Sequence, residues 1–205
     1  MEDFELDGTV LVKCNINPAR MEFNSFVTEI GYGAFEGKSI ENAVLSDSIT
    51  VIGDNAFCCS WLKEIVIPDS VKTLGTWVFS LCYMLESAVI GKGLGFIPAG
   101  TFAKCKSLAR VEIPDSITFI GADTFIGCES LKEINIPDTV YHIDSSAFEG
   151  CTSLETVTIP HALKKIYASS FEGCTGLKKV YIPRDVMETA KAAFEKLDAE
   201  IIEID

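Results

Sequence analysis

The chain repeats itself every 22 or 23 residues, and this period constrains its fold more than any other feature. One ladder is built of phenylalanines: Phe35, Phe57, Phe79, Phe102, Phe125, Phe148, Phe171 and Phe194. A second is built of cysteines 23 residues apart: Cys59, Cys82, Cys105, Cys128, Cys151 and Cys174. A third is built of leucines at the same spacing: Leu62, Leu85, Leu108, Leu131, Leu154 and Leu177. A fixed period of this size indicates a stack of similar coils.

One unit, residues 136–160, shows how a coil is expected to fold. Leu154, Val157 and Ile159 are separated by polar residues, which predicts a short strand, and Pro160 ends it. The preceding part of the unit turns apolar side chains inward at four positions: Val140, Ile143, Ala147 and Phe148. Stacking aligns the strands in parallel at roughly 4.8 Å per coil. We therefore predict one face of sheet and one face of irregular or short helical backbone.

The order of these residues resembles the unit of the BspA-like leucine-rich repeat family, approximately IPxxVxxIGxxAFxxCxxLxxIxIP. Two stretches match it almost position for position: IPDSITFIGADTFIGCESLKEINIP and IPDTVYHIDSSAFEGCTSLETVTIP. The resemblance covers about residues 21–183, although the units at Phe35 and Phe57 are one residue short and Gly91 stands where other units have proline. It implies a leucine-rich-repeat solenoid, a right-handed β/α horseshoe-like superhelix with a parallel β-sheet on its concave face.

The predicted organisation is one repeat domain over residues 1–205. Within residues 1–20, two apolar-rich segments flank Asp7 and Gly8, which predicts a β-hairpin cap. About seven repeats of 22 or 23 residues fill residues 21–183.

The last segment, residues 184–205, is predicted to form a helical C-terminal cap. Its apolar residues fall at helical spacing: Val186, Ala190, Ala193, Phe194 and Leu197. The final AEIIEID is able to add one more strand, because Ile204 lies 22 residues beyond Ile182.

Charge and hydropathy exclude two classes of partner. The net charge of −13 argues against phosphate-rich partners, so we predict no nucleic-acid binding. No apolar run approaches the roughly 18 to 20 residues that span a bilayer, so we predict no membrane insertion. The N-terminus has no basic start and no apolar stretch, and unpaired cysteines are compatible with the cytoplasm. The localisation stays open, because the family resemblance implies a cell-surface or secreted protein.

The cysteines and histidines form no constellation that carries chemistry. Each unit has one ladder cysteine and no CxxC pair occurs, so we predict core cysteines, no metal and no cofactor. His142 and His161 hold different repeat positions and are predicted to be surface imidazoles. Because no nucleophile, base and stabilising group converge, we predict no catalytic residue and no enzyme activity.

The outward positions of the strands vary from coil to coil, and such positions can encode binding specificity. Val44, Val66 and Val89 follow one another and are more apolar than solubility alone favours, and Phe96 and Phe119 would extend this strip. Exposed β-branched residues also suit strands without any binding role. The predicted binding residues of the concave face are Val44, Val66, Val89, Arg110, Glu112, Glu133, Asn135, Thr158, Lys179, Tyr181, Phe96 and Phe119.

Two classes of non-catalytic function remain. The resemblance implies a protein-binding module, adhesin-like, on the surface of a host-associated microbe or secreted by it, with a host extracellular protein as partner. The free thiols and the lack of an export signal favour instead a cytoplasmic scaffold or assembly factor. In either case we expect a monomer.

Overall fold

The structure is a computed structural model that describes residues 3–205, so the first two residues of the predicted 1–20 cap lie outside the described residues. The chain winds into a stack of coils whose strands, in order, are β1 (Phe4–Asp7), β2 (Val10–Cys14), β3 (Arg20–Glu22), β4 (Glu29–Ile30), β5 (Asn42–Val44), β6 (Val51–Ile52), β7 (Glu64–Val66), β8 (Thr73–Leu74), β9 (Ser87–Val89), β10 (Phe96–Ile97), β11 (Arg110–Glu112), β12 (Phe119–Ile120), β13 (Glu133–Ile134), β14 (His142–Ile143), β15 (Thr156–Thr158), β16 (Lys165–Ile166), β17 (Lys179–Pro183) and β18 (Glu200–Ile204). The α-helix found among the described residues is α1 (Met187–Ala190).

The strands form two series, which we call the first sheet and the second sheet. The first sheet comprises β3, β5, β7, β9 and β11, followed after one interruption by β13, β15, β17 and β18. The second sheet comprises β1, β2, β4, β6 and β8, followed after one interruption by β10, β12, β14 and β16.

The first sheet forms because equivalent residues of successive coils lie side by side. Glu64–Val66 pairs in parallel with Ser87–Val89, residue for residue, and Ser87–Val89 pairs in the same way with Arg110–Glu112. The middle residue of each of these three strands is buried: Ile65, Ala88 and Val111. The flanking residues face outward, as the alternation predicts for a strand with one buried face. The predicted stack of parallel strands is confirmed.

The second sheet corrects the prediction that the rest of each coil is irregular or short helical backbone. Two-residue strands recur there, as His142–Ile143 beside Lys165–Ile166 shows. The first residue of such a strand points outward, whereas the second is buried, as Ile143 is, or half-buried, as Ile166 is. Residues 3–183 contain no α-helix, so the predicted β/α alternation is wrong for the described coils. The fold is a β-solenoid.

The predicted phenylalanine ladder forms the centre of the core. From Phe35 to Phe171, successive rings stack with centroids between 4.8 and 5.6 Å apart and planes within 14° of parallel. Phe194 continues the ladder at 4.8 Å, and Phe23 closes the other end edge-on at 5.6 Å. Such aromatic pairs contribute about 0.5–1.5 kcal/mol each beyond the burial of their area.

The cysteine ladder is interrupted in one coil. Each ladder thiol from Cys82 to Cys174 lies 3.1–3.2 Å from the backbone oxygen of the phenylalanine one coil earlier. In the coil of Phe57 the ladder position is held by Ser60, which is buried, whereas Cys59 is exposed. The prediction that Cys59 is a core residue is therefore wrong. That coil is one residue shorter, so Cys59 falls in the preceding turn.

Pro98 accounts for the interruption of the second sheet between β8 and β10. In neighbouring coils the residue after the strand donates its amide to the coil before. Gly75 N donates to Ile52 O at 2.8 Å, and Gly121 N donates to Ile97 O at 2.9 Å. Proline has no amide hydrogen to donate at this position.

Gly121 lies so close to the preceding coil that a side chain does not fit. A Cβ there would lie 2.7 Å from Ala99 N, whereas a Cβ on Gly95 would meet nothing within 4 Å. We expect Gly121→Ala to lower the free energy of unfolding by about 1–3 kcal/mol. Gly95→Ala is expected to leave it unchanged or to raise it by about 0.4–1 kcal/mol. Urea denaturation measures both, and equal effects of the two variants would contradict the close approach.

The N-terminal hairpin is confirmed over the described residues. β1 and β2 pair antiparallel around Asp7 and Gly8, and Gly8 has a φ of 60°, which glycine adopts readily. β2 then pairs in parallel with β4. The hairpin therefore covers the end of the second sheet.

The C-terminal cap is less helical than predicted. α1 spans only four residues and lies between two 3₁₀ turns, Arg184–Val186 and Lys191–Ala193. The predicted apolar positions are nevertheless buried or packed against the core: Val186, Ala190, Ala193, Phe194 and Leu197. β18 adds the last strand beside β17, but Ile182 lies opposite Glu203 rather than Ile204. The predicted register was therefore off by one residue.

Candidate functional site

A row of valines lies on the outward side of the first sheet. Val44, Val66 and Val89 occupy the same position in β5, β7 and β9, and Val66 and Val89 are direct neighbours. Val44 and Val66 are 50% and 59% exposed, and Val89 is half-buried. Because neighbouring strands lie about 4.8 Å apart, the three side chains form one continuous apolar surface. We call these three residues the valine strip.

A hollow of about 1090 Å³ lies over the valine strip. Its wall is formed by the turns that follow the strands, including Pro68, Gly91 and Pro114. A Cβ on Gly91 would lie 2.5 Å from the Pro68 carbonyl carbon, so this turn packs flat against its neighbour only because it lacks a side chain. The volume slightly exceeds the range of about 300–1,000 Å³ that is usual for small-molecule pockets.

Charged side chains border the hollow. Asp47, Asp69 and Lys92 line its turn side, and the Lys92 amide donates to Asp69 Oδ1 at 2.6 Å. Sequence reasoning missed these residues, because aspartate after proline is explained as a turn residue. The sequence did contain one sign of this border: Lys92 places a cation where the neighbouring coils have Asp69 and Asp115.

The first sheet becomes polar beyond β9. Arg110 and Glu112 form an ion pair along β11. A second hollow of about 470 Å³ follows, and its lining includes Arg110, Glu112, Glu133, Asn135 and Thr158. Lys179 and Tyr181 continue the face on β17, which pairs with β15. Beyond the valine strip, the outward face of the first sheet is therefore polar.

Phe96 and Phe119 lie on the second sheet, which corrects their prediction as part of the first strip. They pair in register in β10 and β12, and their ring centroids are 6.4 Å apart. The turns at Gly91 and Pro114 redirect the chain to another side of the coil before these residues. The other predicted binding residues lie on strands of the first sheet, except Asn135, which directly follows β13.

An aromatic row continues from Phe119 along the second sheet. The Phe119 ring meets His142 edge-on at 4.7 Å, and His142 stacks on Tyr167 at 6.1 Å. Lys165 Nζ lies 4.5 Å from the centroid of the Tyr167 ring. His142 is therefore half-buried between rings on the outward side of β14, so its prediction as a surface imidazole holds only in part, whereas His161 is exposed as predicted.

The position of His142 makes stability depend on pH. Burial lowers the pKa of His142, Asp144 opposes this effect, and Lys165 lowers the pKa further. An imidazole with a lowered folded pKa binds fewer protons when folded. Its contribution to stability is therefore present above the unfolded value of about 6.5 and lost as the pH falls below it. We expect the melting temperature to fall more between about pH 8 and pH 5 for the wild-type protein than for His142→Gln. A melting temperature that falls equally with pH in both proteins would contradict this expectation.

Neither a metal centre nor a membrane-spanning helix is found in the part of the chain that the structure describes. Within residues 3–205, no three or more His, Cys, Asp or Glu side chains are grouped to hold a metal ion. The helices of the same residues are all too short and too polar to cross a bilayer.

Comparison with known proteins identifies the repeat. The family described as BspA type leucine-rich repeat region matches residues 12–109 and 95–205, with six copies. The chain belongs to this family. A search of curated proteins found no match to the sequence. Membership of the BspA-type family confirms the resemblance, and repeats of this kind form extended surfaces that bind proteins.

Solved structures of bacterial leucine-rich repeat proteins share the fold. A leucine-rich repeat protein from Bacteroides ovatus is 30% identical, with a TM-score of 0.73, covering 91% of this chain and 54% of that one. A leucine-rich cell surface protein from Faecalibacterium prausnitzii is 25% identical, with a TM-score of 0.50, covering 80% and 59%. The T. pallidum leucine-rich repeat protein, 24% identical with a TM-score of 0.63 over 93% and 89%, shows the fold alone. The chain spans little more than half of the first two proteins.

Proposed function

We propose that this BspA-type chain binds another protein, without catalysis, through the valine strip and the polar residues beside it. The observation that carries the proposal is the hollow of about 1090 Å³ over Val44, Val66 and Val89, bordered by charged side chains. An apolar centre with a polar rim is the usual composition of a protein interface. The inward phenylalanine column keeps one residue type along the stack, whereas the outward column changes from the three valines to Glu112, Asn135 and Thr158, so a partner meets different contacts along the stack.

The charged pairs of the first sheet support this use of the surface. The side chains of Arg110 and Glu112 are 74% and 52% exposed, and those of Arg20 and Glu22 are both 65% exposed. Exposed ion pairs contribute little to folding, about 0–1 kcal/mol. The free-energy cost of replacing these ion pairs with contacts to a partner is therefore small. We propose that the partner places apolar side chains over the valine strip and charged side chains against Arg110 and Glu112.

We also propose that the stack curves with its sheets on the inner side. The support is the small rotation from one repeat to the next by which solenoids of this kind curve and form concave binding surfaces. The valine strip then lies on the concave side.

An adhesin-like role at the cell surface, or after secretion, with a host extracellular protein as partner, is the finer form of this proposal. Its support is the Faecalibacterium prausnitzii relative, which is described as a cell surface protein. The second candidate is a cytoplasmic scaffold or assembly factor. It is favoured by the cysteines, all of which are free, because a reducing compartment keeps thiols unpaired. Antibody labelling of intact against permeabilised cells distinguishes the two.

We further propose that residues 1–205 act as one domain and as a monomer. The support is a single apolar core cluster that runs from Leu11 to Phe194 without a break between coils.

Site-specific photo-crosslinking tests the proposed surface. One variant carries a photo-reactive amino acid in place of Val66, and a control carries it in place of Thr73, which is exposed on the second sheet. After irradiation in a protein extract, we expect defined protein adducts from position 66 and none of the same mass from position 73. Equal adducts from both positions, or none from position 66, would exclude the valine strip as the binding surface.

A further inference from the structure

Two adjacent cysteines of the second coil differ from every other thiol of the protein. Cys58 and Cys59 follow Phe57, and their sulfur atoms are 3.5 Å apart. Cys59 is exposed, and Cys58 is 8% exposed. The remaining six thiols are at most 1% exposed: Cys14, Cys82, Cys105, Cys128, Cys151 and Cys174. A solvent-accessible thiol is therefore present at one place in this protein, and a second thiol lies beside it.

We propose that Cys58 and Cys59 form a reactive dithiol, the site at which low-molecular-weight disulfides oxidise this protein. In the first step the Cys59 thiolate attacks the small disulfide, forms a mixed disulfide and releases one small thiolate. In the second step the Cys58 thiolate attacks Cys59 Sγ, forms the Cys58–Cys59 disulfide and releases the second small thiolate. Two protein thiols are oxidised to one disulfide, and the small disulfide is reduced to two thiols.

The environment sets the order of the two steps. Burial, together with the hydrogen bond to Cys59, raises the pKa of Cys58 to about 12, so Cys58 is a poor first nucleophile. Cys59 is accessible and attacks first. Once the mixed disulfide exists, Cys58 is held next to the sulfur that it attacks, and this proximity offsets its small thiolate fraction.

The buried ladder thiols do not compete with Cys59 for the small disulfide. Burial raises the pKa of Cys82 to about 12 and that of Cys105 well above its usual value. Each of these thiols also donates to a backbone oxygen of the preceding coil, Cys82 to Phe57 O and Cys105 to Phe79 O, both at 3.1 Å. A small disulfide has no path to them while the coils are stacked.

The product is a strained and readily reduced bond. Adjacent Cα atoms are about 3.8 Å apart, which is shorter than the separation of about 4.4–6.8 Å that disulfides usually span. Strained disulfides have more oxidising potentials than structural ones. The oxidation is therefore reversible by ordinary thiols, as a modification site requires.

Oxidation also weakens the hydrogen bonds between neighbouring coils. The peptide between the two cysteines bonds to both neighbouring coils: Cys58 O accepts from Gly37 N at 2.8 Å, and Cys59 N donates to Ser80 O at 2.8 Å. Closing the disulfide draws the sulfurs together from 3.5 Å to about 2.05 Å and twists this peptide. Both bonds between coils are then weakened.

The test uses the folded protein and dithiobis(nitrobenzoate), an aromatic disulfide whose released thiolate is coloured. For the wild-type protein we expect about two equivalents of thiolate and a protein that carries no adduct and has lost two hydrogen atoms. Cys58→Ser is expected to release about one equivalent and to keep the adduct, and Cys59→Ser to release almost none. Dithiothreitol is expected to restore both thiols of the wild-type protein.

Two results would overturn the proposal. One is a wild-type protein that keeps a stable adduct after releasing one equivalent, because Cys58 then does not resolve the mixed disulfide. The other is no release from the folded wild-type protein. Circular dichroism checks that the variants fold, and the wild-type stoichiometry with its mass decides the question even where Cys58→Ser does not fold.

Discussion

Phe148→Ala is expected to lower the free energy of unfolding by about 3–5 kcal/mol, the largest effect of any single substitution considered for this protein. The Phe148 ring is fully buried and stacks on Phe125 at 5.2 Å and on Phe171 at 4.8 Å. Alanine removes the apolar surface, both ring contacts and the volume that keeps the coils apart. For a chain of this size the melting temperature is expected to fall by roughly 10 °C. Thermal and urea denaturation followed by circular dichroism measure both quantities.

Phe96→Ala is the matched control for this prediction. It removes the same side chain from a position that is 52% exposed, on the outward side of β10. Its cost is expected to stay below about 1 kcal/mol, because little apolar surface is lost from the core. If Phe96→Ala destabilises the protein as much as Phe148→Ala, the phenylalanine ladder is not the centre of the core.

Val66→Glu combined with Val89→Glu is expected to weaken binding of the partner by about 100-fold or more while the protein remains folded. Two carboxylates then stand where the partner places apolar side chains, and burying them unpaired costs more than the lost contacts alone. A loss of about 2.8 kcal/mol corresponds to this factor. Both side chains point away from the core, so the coils stay stacked. Calorimetric titration with a crosslinked partner measures the affinity.

The control places the same two charges on the other sheet, as Val51→Glu with Thr73→Glu. These positions are also direct neighbours, one half-buried and one exposed, as Val89 and Val66 are. Each pair also has a glutamate on one side, Glu29 beside Val51 and Glu112 beside Val89. Any general effect of added negative charge is therefore the same in both variants. Equal loss of affinity in both would show that charge repulsion, not the valine strip, accounts for the result.

The repeat made the inward half of the structure predictable. Phe148, Cys151 and Leu154 recur at one spacing because each coil must fill the same space, and burial of these residues follows from stacking alone. The N-terminal hairpin was predictable for a local reason, since Asp7 and Gly8 favour a tight turn between two apolar segments.

The features that the sequence did not predict depend on neighbouring coils rather than on local pattern. The second sheet consists largely of two-residue strands, which are too short to show alternation and whose hydrogen bonds all run between coils. Cys59 was misassigned because a constant 23-residue spacing of cysteines concealed the shorter coil that begins at Phe57. Phe96 and Phe119 were placed on the wrong face because that second sheet was not foreseen. The valine strip was predictable only because the outward positions of the strands do not keep the residue types of the repeat.

The structure of the C-terminal segment likewise depends on the neighbouring coil rather than on its local sequence pattern. Val186, Ala190 and Phe194 have helical spacing and are buried, yet the backbone forms one short α-helix between two 3₁₀ turns. The segment must cover the last coil and then return as β18 beside β17. This path divides about three turns of helical backbone into short α and 3₁₀ pieces, and tertiary packing overrides the intrinsic preference for one longer helix.

Hydrogen exchange of the partner-bound protein maps the covered surface without any substitution. If the valine strip is the binding surface, exchange slows on binding in β5, β7, β9 and β11, on the first sheet. Exchange is then unchanged in β6, β8, β10 and β12, which belong to the second sheet of the same coils. Protection confined to the second sheet, or to the turns that carry the phenylalanines, would contradict the assignment of the valine strip as the binding surface.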